Sequence, residues 1–94
     1  MFIEVIGDEQ LKILLRGEGF LVNVDYPTRN VKLHNMKCKH CSPENPVGAK
    51  PSSKQLNNTG EFWYSDNRKE ANSKATEIAT KRGYTYSVCT HCNP

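Results

Sequence analysis

The chain has 94 residues, of which 13 are basic and 10 acidic, so its formal net charge is +3. A chain of this length forms one domain and buries only about 60 to 65% of the surface that its unfolded form exposes. Because only 36% of the residues are hydrophobic, we expect a core alone to be marginal. There is no run of about 18 apolar residues, which predicts no membrane span, and residues 1–8 do not resemble a secretory signal peptide, which favours a cytoplasmic location.

The first 34 residues predict a βαββ unit with no catalytic constellation. Strands are expected where β-branched and aromatic residues concentrate, and a short helix where leucines recur at helical spacing. The last two strands flank a turn that contains proline and ends in asparagine, so they should pair antiparallel. The expected elements are a strand at 2–6, a helix at 8–16, a strand at 20–26, a turn at 27–30 and a strand at 31–34.

The last third predicts a strand at 61–64, one amphipathic helix and a final strand that leads to Cys89. Asn67 followed by Glu70 approximates a capping box, and Gly83 is typical of a helix end, so the helix should cover about 67–82. Its buried stripe is mostly alanine, which allows close packing on a sheet. That stripe contains Ala71, Ala75, Ile78 and Ala79, and the final strand alternates through Tyr84, Tyr86 and Val88.

Between these parts, residues 42–60 form a polar stretch with three prolines and two glycines. Such a stretch has too few apolar side chains for a packed element, so it predicts a long, mobile surface loop. The whole chain is therefore expected to be a single α+β domain over 1–94. It would consist of a βαββ lead-in over 1–34 and a metal-binding unit over 35–94.

All four cysteines fall in two Cys-x-x-Cys pairs, the spacing with which two thiolates bind one metal ion. The pairs predict one structural Zn²⁺ that stabilises the domain in the manner of a zinc ribbon. Disulfide or redox chemistry is the alternative reading of the cysteines, but no oxidising compartment is indicated. The predicted ligands are Cys38, Cys41, Cys89 and Cys92.

The last two thirds of the chain resemble the metal-binding domain of the Ada DNA methyl-transfer repair protein and the Ada-like domains appended to some bacterial nucleases. The segments that carry the resemblance are 62–71, Gly83-Tyr84 and 89–94, which ends in proline. The resemblance covers about residues 32–94 and implies a small α+β zinc fold. In looser relatives the first two ligands form a His-x-x-x-Cys motif, which residues 34–38 match. The resemblance therefore implies His34 as an alternative to Cys41, although the matched Cys-x-x-Cys spacing favours Cys41.

The sequence departs from the Ada pattern where that protein carries out chemistry. In the Ada protein, a zinc-activated cysteine thiolate accepts the methyl group. The position of that cysteine corresponds to His34 here, and an imidazole is a poor substitute for a thiolate in this transfer. The loop after Cys38 and the helix region before Gly83 also look longer than in the family, and Cys41 is an additional cysteine. Methyl-acceptor repair is thus the least favoured function.

We expect a non-catalytic module that binds nucleic acid or a nucleic-acid-associated protein, with no small-molecule substrate. Residues 1–28 carry two basic and five acidic side chains, whereas 29–94 carry eleven and five. A protein-interaction or regulatory adaptor is the alternative function. Aromatic residues 63, 64, 84 and 86 would either stack on bases or fill a small core. The candidate phosphate-binding residues are Arg29, Lys32, Lys37, Lys39, Lys50 and Lys54.

Overall fold

The described part of the chain folds into one five-stranded sheet with two helices. A computed structural model describes residues 2–14, 16–36 and 58–89. None of the helices in these ranges is long and apolar enough to cross a membrane. The elements are β1 (Phe2–Val5), α1 (Asp8–Leu14), β2 (Phe20–Asp25), β3 (Asn30–Asn35), β4 (Gly60–Ser65), α2 (Arg68–Arg82) and β5 (Thr85–Val88).

The order of strands in the sheet is β1-β4-β2-β3-β5. The predicted hairpin is confirmed, because β2 and β3 pair antiparallel from Phe20↔Asn35 to Asp25↔Asn30. β4 lies between β1 and β2 and is antiparallel to both, so a strand from the second half of the chain is inserted between two strands from the first half. β5 pairs parallel with β3. The α+β class and the order of elements along the chain are therefore as predicted.

Helix α2 has the predicted bounds and the predicted buried face. Asn67 is its N-cap, and Gly83 ends it in the left-handed conformation, with φ 69°. The three alanines at positions 71, 75 and 79 are buried, as expected for a helix lying close to a sheet. The cap differs in one detail from a capping box. Asn67 accepts the Glu70 N–H through Oδ1, but the Ser65 hydroxyl, not the Glu70 carboxylate, accepts the Asn67 N–H.

The β2–β3 turn differs from the prediction by one residue. It covers Tyr26 to Arg29, closed by a hydrogen bond of 3.2 Å from the Arg29 N–H to the Tyr26 carbonyl. The left-handed residue is Arg29, with φ 55°, and Asn30 already belongs to β3. The reason lies in the sheet, since Asn30 pairs with both Asp25 and Thr85 and must therefore be extended.

Each face of the sheet carries its own hydrophobic core, because side chains alternate between the faces of a strand. On the first face, α2 places its alanines on valines and a leucine of β2 and β3. On the second face, Leu11 of α1 is fully buried, and Cys89 belongs to the same cluster. The buried residues of the first face are Val22, Val24, Val31, Leu33, Ala71, Ala75 and Ala79. Those of the second are Val5, Leu11, Leu21, Met36, Phe62, Tyr64 and Cys89.

Candidate metal centre at the cysteine end of the sheet

β3 and β5, the strands that precede the two cysteine pairs in the sequence, pair parallel to each other. Residues 30–33 pair with 85–88, so both strands run in the same direction and leave the sheet at the same end. The chain after β3 leads to Cys38, and the chain after β5 leads through Cys89 to Cys92. Neighbouring strands lie about 4.8 Å apart. We call this end of the sheet, where β3 and β5 finish, the cysteine end.

At the cysteine end, the register places Cys89 beside His34 on the second face of the sheet. The Cys89 N–H donates to the Leu33 carbonyl at 2.9 Å, which extends the parallel ladder by one step. His34 pairs with Leu21, and both lie on the same face as Tyr64. His34 is 5% exposed and Cys89 is 3% exposed. A nitrogen donor and a sulfur donor thus share one buried row of side chains.

A contact between Gly19 and Tyr64 fixes the chain at the point where it leaves β3. Gly19 has φ 145°, and a Cβ there would lie 2.5 Å from Cε2 of the Tyr64 ring. The Tyr64 hydroxyl donates to the Glu18 carbonyl at 2.9 Å, and the Gly19 carbonyl accepts the Met36 N–H at 3.0 Å. Met36 is fully buried and lies two residues before Cys38. We call Glu18, Gly19, Tyr64 and Met36 the Tyr64 lock.

Among the predicted metal ligands, the structure describes Cys89 and the alternative ligand His34, and it brings these two together. The other three cysteines, Cys38, Cys41 and Cys92, lie outside the described residues, as does most of the predicted loop at 42–60. In ranges 2–14, 16–36 and 58–89, no group of three or more His, Cys, Asp or Glu side chains is arranged to hold a metal ion. The zinc site therefore stays a prediction.

Two of the predicted phosphate-binding residues are described, and both are exposed. Arg29 lies in the β2–β3 turn, and Lys32 lies on β3 two residues before His34, hence on the same face. Arg29 and the cysteine end lie at opposite ends of β3. Lys37, Lys39, Lys50 and Lys54 lie outside the part of the chain that the structure describes.

The aromatic side chains considered for base stacking fill the two cores instead. Trp63, Tyr84 and Tyr86 pack against the cluster beneath α2, and Tyr64 is buried on the other face. The Tyr86 hydroxyl donates to Asn72 Oδ1 at 2.6 Å. Burial raises the pKa of Tyr64 and of Tyr86, so both stay protonated at neutral pH. Stacking on bases therefore has no support from these rings.

A polar cluster at the other end of the sheet was not predicted. The Glu61 carboxylate accepts hydrogen bonds from the Tyr26 hydroxyl at 2.6 Å and from Trp63 Nε1 at 2.9 Å. It also pairs with the Arg82 guanidinium at 2.9 Å, and the Glu61 side chain is only 11% exposed. We call these four residues the Glu61 cluster. The only sequence signal for it was an acidic residue two positions before a tryptophan, which places both on one face of a strand.

The Glu61 cluster shifts the pKa values of its members. Burial alone would raise the pKa of Glu61, but the hydrogen bonds from Tyr26, Trp63 and Arg82 outweigh it and hold the pKa below its usual value. The hydrogen bond to Glu61, together with burial, raises the pKa of Tyr26. Glu61 is therefore a charged acceptor for three donors, and its role is to join β4 to the turn and to the end of α2.

Comparison with known proteins adds no identification. No protein-family model matches the chain, no curated protein matches it, and no solved structure matches it. The resemblance to the Ada metal-binding domain accordingly stays a prediction made from the motifs.

Proposed function

We propose that this protein is a non-catalytic module in which one structural Zn²⁺ joins the two cysteine pairs at the cysteine end of the sheet. The ligands in this proposal are Cys38, Cys41, Cys89 and Cys92. One observation supports it above all others. β3 and β5 are parallel neighbours, so the two strands finish side by side at the cysteine end, just before the residues that carry the two pairs.

The distances along the chain are compatible with one tetrahedral site. Cys38 lies two residues after Met36 and Cys92 three residues after Cys89. At about 3.3 to 3.6 Å per residue, these segments reach at most about 7 and 11 Å from neighbouring strands. Zinc–sulfur distances of about 2.3 Å can be met within that reach. A charged sulfur next to an apolar core needs a compensating partner, such as a hydrogen-bond donor. Bound zinc would be that partner for the thiolates.

The fourth ligand separates two versions of the proposal. The matched spacing of the two pairs favours Cys41, which gives four sulfur ligands. The position of His34 beside Cys89, on the same buried face, supports the alternative of three sulfurs and one nitrogen. X-ray absorption spectroscopy of the zinc-loaded protein distinguishes the two. Cys41→Ser and His34→Gln provide a matched pair, since only the variant that lacks the true ligand should lose a coordinating atom.

The test of the site is metal analysis of the purified protein and of the double variant Cys89→Ser/Cys92→Ser. We expect one zinc per chain in the wild type, removal by a strong chelator, and no bound zinc in the variant. The proposal would be contradicted if the protein, purified without reducing or chelating steps, contained no metal and could not be loaded with zinc. In that case, mass measurement before and after thiol labelling would show whether disulfides or core thiols replace the site.

We propose nucleic acid as the partner, bound through its phosphates. The described residues carry nine basic and nine acidic side chains, and 37–57 carries four lysines and one glutamate. The whole formal excess of +3 therefore comes from the segment between the first cysteine pair and β4. Since the aromatic rings pack against the two cores, the proposal rests on phosphate contacts and not on base stacking.

Salt dependence tests the nucleic-acid proposal. Affinity for a short DNA or RNA duplex and for a single strand should fall steeply between 50 and 200 mM salt, by about tenfold or more for a few phosphate contacts. Arg29→Gln/Lys32→Gln should reduce the slope by about 1 to 2. The control Lys74→Gln/Lys81→Gln removes two charges from the exposed side of α2 and should leave the slope unchanged. No binding at low salt would remove this partner.

A protein-interaction or regulatory adaptor is the second candidate, and one observation favours it. The described part of the chain has balanced charge and inward-facing aromatics, which gives it no feature specific for nucleic acid. In this case, zinc would only shape the surface. Binding to a protein partner that persists at high salt, together with no binding to DNA or RNA, would decide for the adaptor.

A further inference from the structure

The Tyr64 lock lies between the hydrophobic core and the start of the first cysteine pair. The Tyr64 ring fills the space beside Gly19 that any Cβ would occupy, and its hydroxyl holds the Glu18 carbonyl at 2.9 Å. The next carbonyl along the chain, that of Gly19, holds the Met36 N–H at 3.0 Å. All of these contacts involve described residues. The Met36 bond continues the β2–β3 register one step beyond Phe20↔Asn35, whereas the Tyr64 contacts come from β4.

We infer that Tyr64 is a positioning residue for the metal centre, acting through Glu18 and Gly19 to fix the point at which the chain leaves β3 for Cys38. This inference rests on the proposed zinc site. Cys89 is already fixed by the ladder, because its N–H is bound to the Leu33 carbonyl. On the other strand, the last described residue before the first cysteine pair is Met36, whose N–H is held by the lock.

The physical effect is preorganisation. A ligand segment that is only partly in its binding position lowers the apparent affinity in proportion to the populated fraction. Each hydrogen bond of the lock that survives without metal raises that fraction, and it also reduces the ordering entropy lost on binding. The lock should therefore strengthen metal binding without supplying a ligand.

The test compares Tyr64→Phe with Tyr86→Phe. Both variants remove one hydroxyl from a largely buried ring, but Tyr86 donates to Asn72 Oδ1 beneath α2, on the face away from the metal centre. Zinc affinity is measured by chelator competition under conditions in which both variants are fully folded. Exchange of the Met36 amide hydrogen is measured on metal-free protein by NMR, and Co²⁺ absorption reports the ligand set.

For Tyr64→Phe we expect zinc affinity to fall about five- to tenfold, which is the value of one lost neutral hydrogen bond. We also expect faster exchange at Met36 and an unchanged Co²⁺ spectrum, since no ligand is lost. For Tyr86→Phe we expect wild-type affinity and wild-type exchange at Met36.

Two results would overturn the inference. One is a zinc affinity for Tyr64→Phe within a factor of two of the wild type, with unchanged exchange at Met36. The other is an equal loss of affinity in Tyr86→Phe, which would indicate a general effect on stability. Failure of the proposed function looks different, because the wild type itself would then bind neither Zn²⁺ nor Co²⁺.

Discussion

The two ends of the sheet are held together by different kinds of interaction. At the end near the β2–β3 turn, the Glu61 cluster joins β4, the turn and α2 through a carboxylate with three donors. At the cysteine end, the chain next to the exit from β3 is held by a glycine packed on a tyrosine ring and by hydrogen bonds to backbone carbonyls, and polar side chains cap α2 on the other face. At the first end, charged and polar side chains of the described residues bind one another and hold the elements together. The second end is where the parallel strands β3 and β5 finish, next to the residues that precede the two predicted cysteine pairs.

The difference shows which substitutions each end should tolerate. A polar cluster depends on chemical identity, so an isosteric change that removes the charge is costly. The Tyr64 lock depends on shape and backbone conformation, so the addition of a single methyl group is costly. Predictions at matched positions can therefore separate the two mechanisms, and they follow in order of decreasing expected effect.

Gly19→Ala should be the most destabilising single change at the cysteine end. The new Cβ would lie 2.5 Å from Tyr64 Cε2, and φ 145° is a conformation that L-residues rarely adopt. Overpacking and backbone strain together predict a loss of about 3 to 4 kcal/mol in the free energy of unfolding. Urea denaturation followed by circular dichroism measures it.

The matched control for that change is Gly83→Ala. Gly83 also has positive φ, at 69°, but a Cβ there would meet nothing within 4 Å. We expect a loss of about 1 kcal/mol, which is the conformational cost alone. Equal losses for the two variants would show that the contact with Tyr64 contributes nothing, and the description of the cysteine end would then be wrong.

Glu61→Gln tests the other end of the sheet. The amide keeps the size of the side chain but removes the charge and turns one acceptor atom into a donor, which faces donors from Tyr26, Trp63 and Arg82. We expect a loss of about 2 kcal/mol in the free energy of unfolding. Glu77→Gln is the control, since Glu77 makes exposed ion pairs with Lys74 and Lys81. The control should cost clearly less than Glu61→Gln, because exposed ion pairs contribute little.

The acid sensitivity of the protein should depend on Glu61. Its pKa in the folded state lies below its usual value, so its contribution to stability is present above the pKa of the unfolded state, about 4.5. The contribution is lost as pH falls from there through the folded pKa, because protonation breaks the hydrogen bonds from its donors. In Glu61→Gln, the free energy of unfolding should change less between pH 5 and pH 3 than in the wild type. Equal pH dependence in both proteins would contradict this assignment.

Local signals predicted most of the fold, because each element has its own signals in the sequence. Periodic alanines and the caps at Asn67 and Gly83 are sufficient for α2, and the proline-containing turn is sufficient for the hairpin. The place of β4 between β1 and β2 has no local signal. It depends on which strands bury each other's hydrophobic faces, and strands distant in sequence can meet in several orders.

The candidate site was predicted less completely, for a related reason. The cysteine spacing indicates a metal, but the parallel pairing of β3 and β5, which makes both strands finish at one end of the sheet, cannot be read from residues 30–35 or 85–88 alone. The Tyr64 lock requires knowledge of the contact between residues 19 and 64. The Glu61 cluster combines residues 26, 61, 63 and 82, each of which is unremarkable in its own segment.

Asn67→Ala tests how α2 is held at the cysteine end, and its effect should be the smallest. Asn67 Oδ1 accepts the Glu70 N–H at 3.0 Å, and its loss leaves one backbone donor to water, because Asn67 is exposed. We expect a cost of about 1 kcal/mol in urea denaturation, the usual value for a lost N-cap. Ser73→Ala, on the exposed side of the helix, is the control and should change stability by less than about 0.5 kcal/mol. The cost should be about half that of Glu61→Gln, because the neighbouring Ser65 hydroxyl still accepts the residue 67 N–H and donates to the Glu70 carboxylate. A larger loss for Asn67→Ala than for Glu61→Gln would reverse the comparison, since α2 would then be held chiefly at its N-terminus.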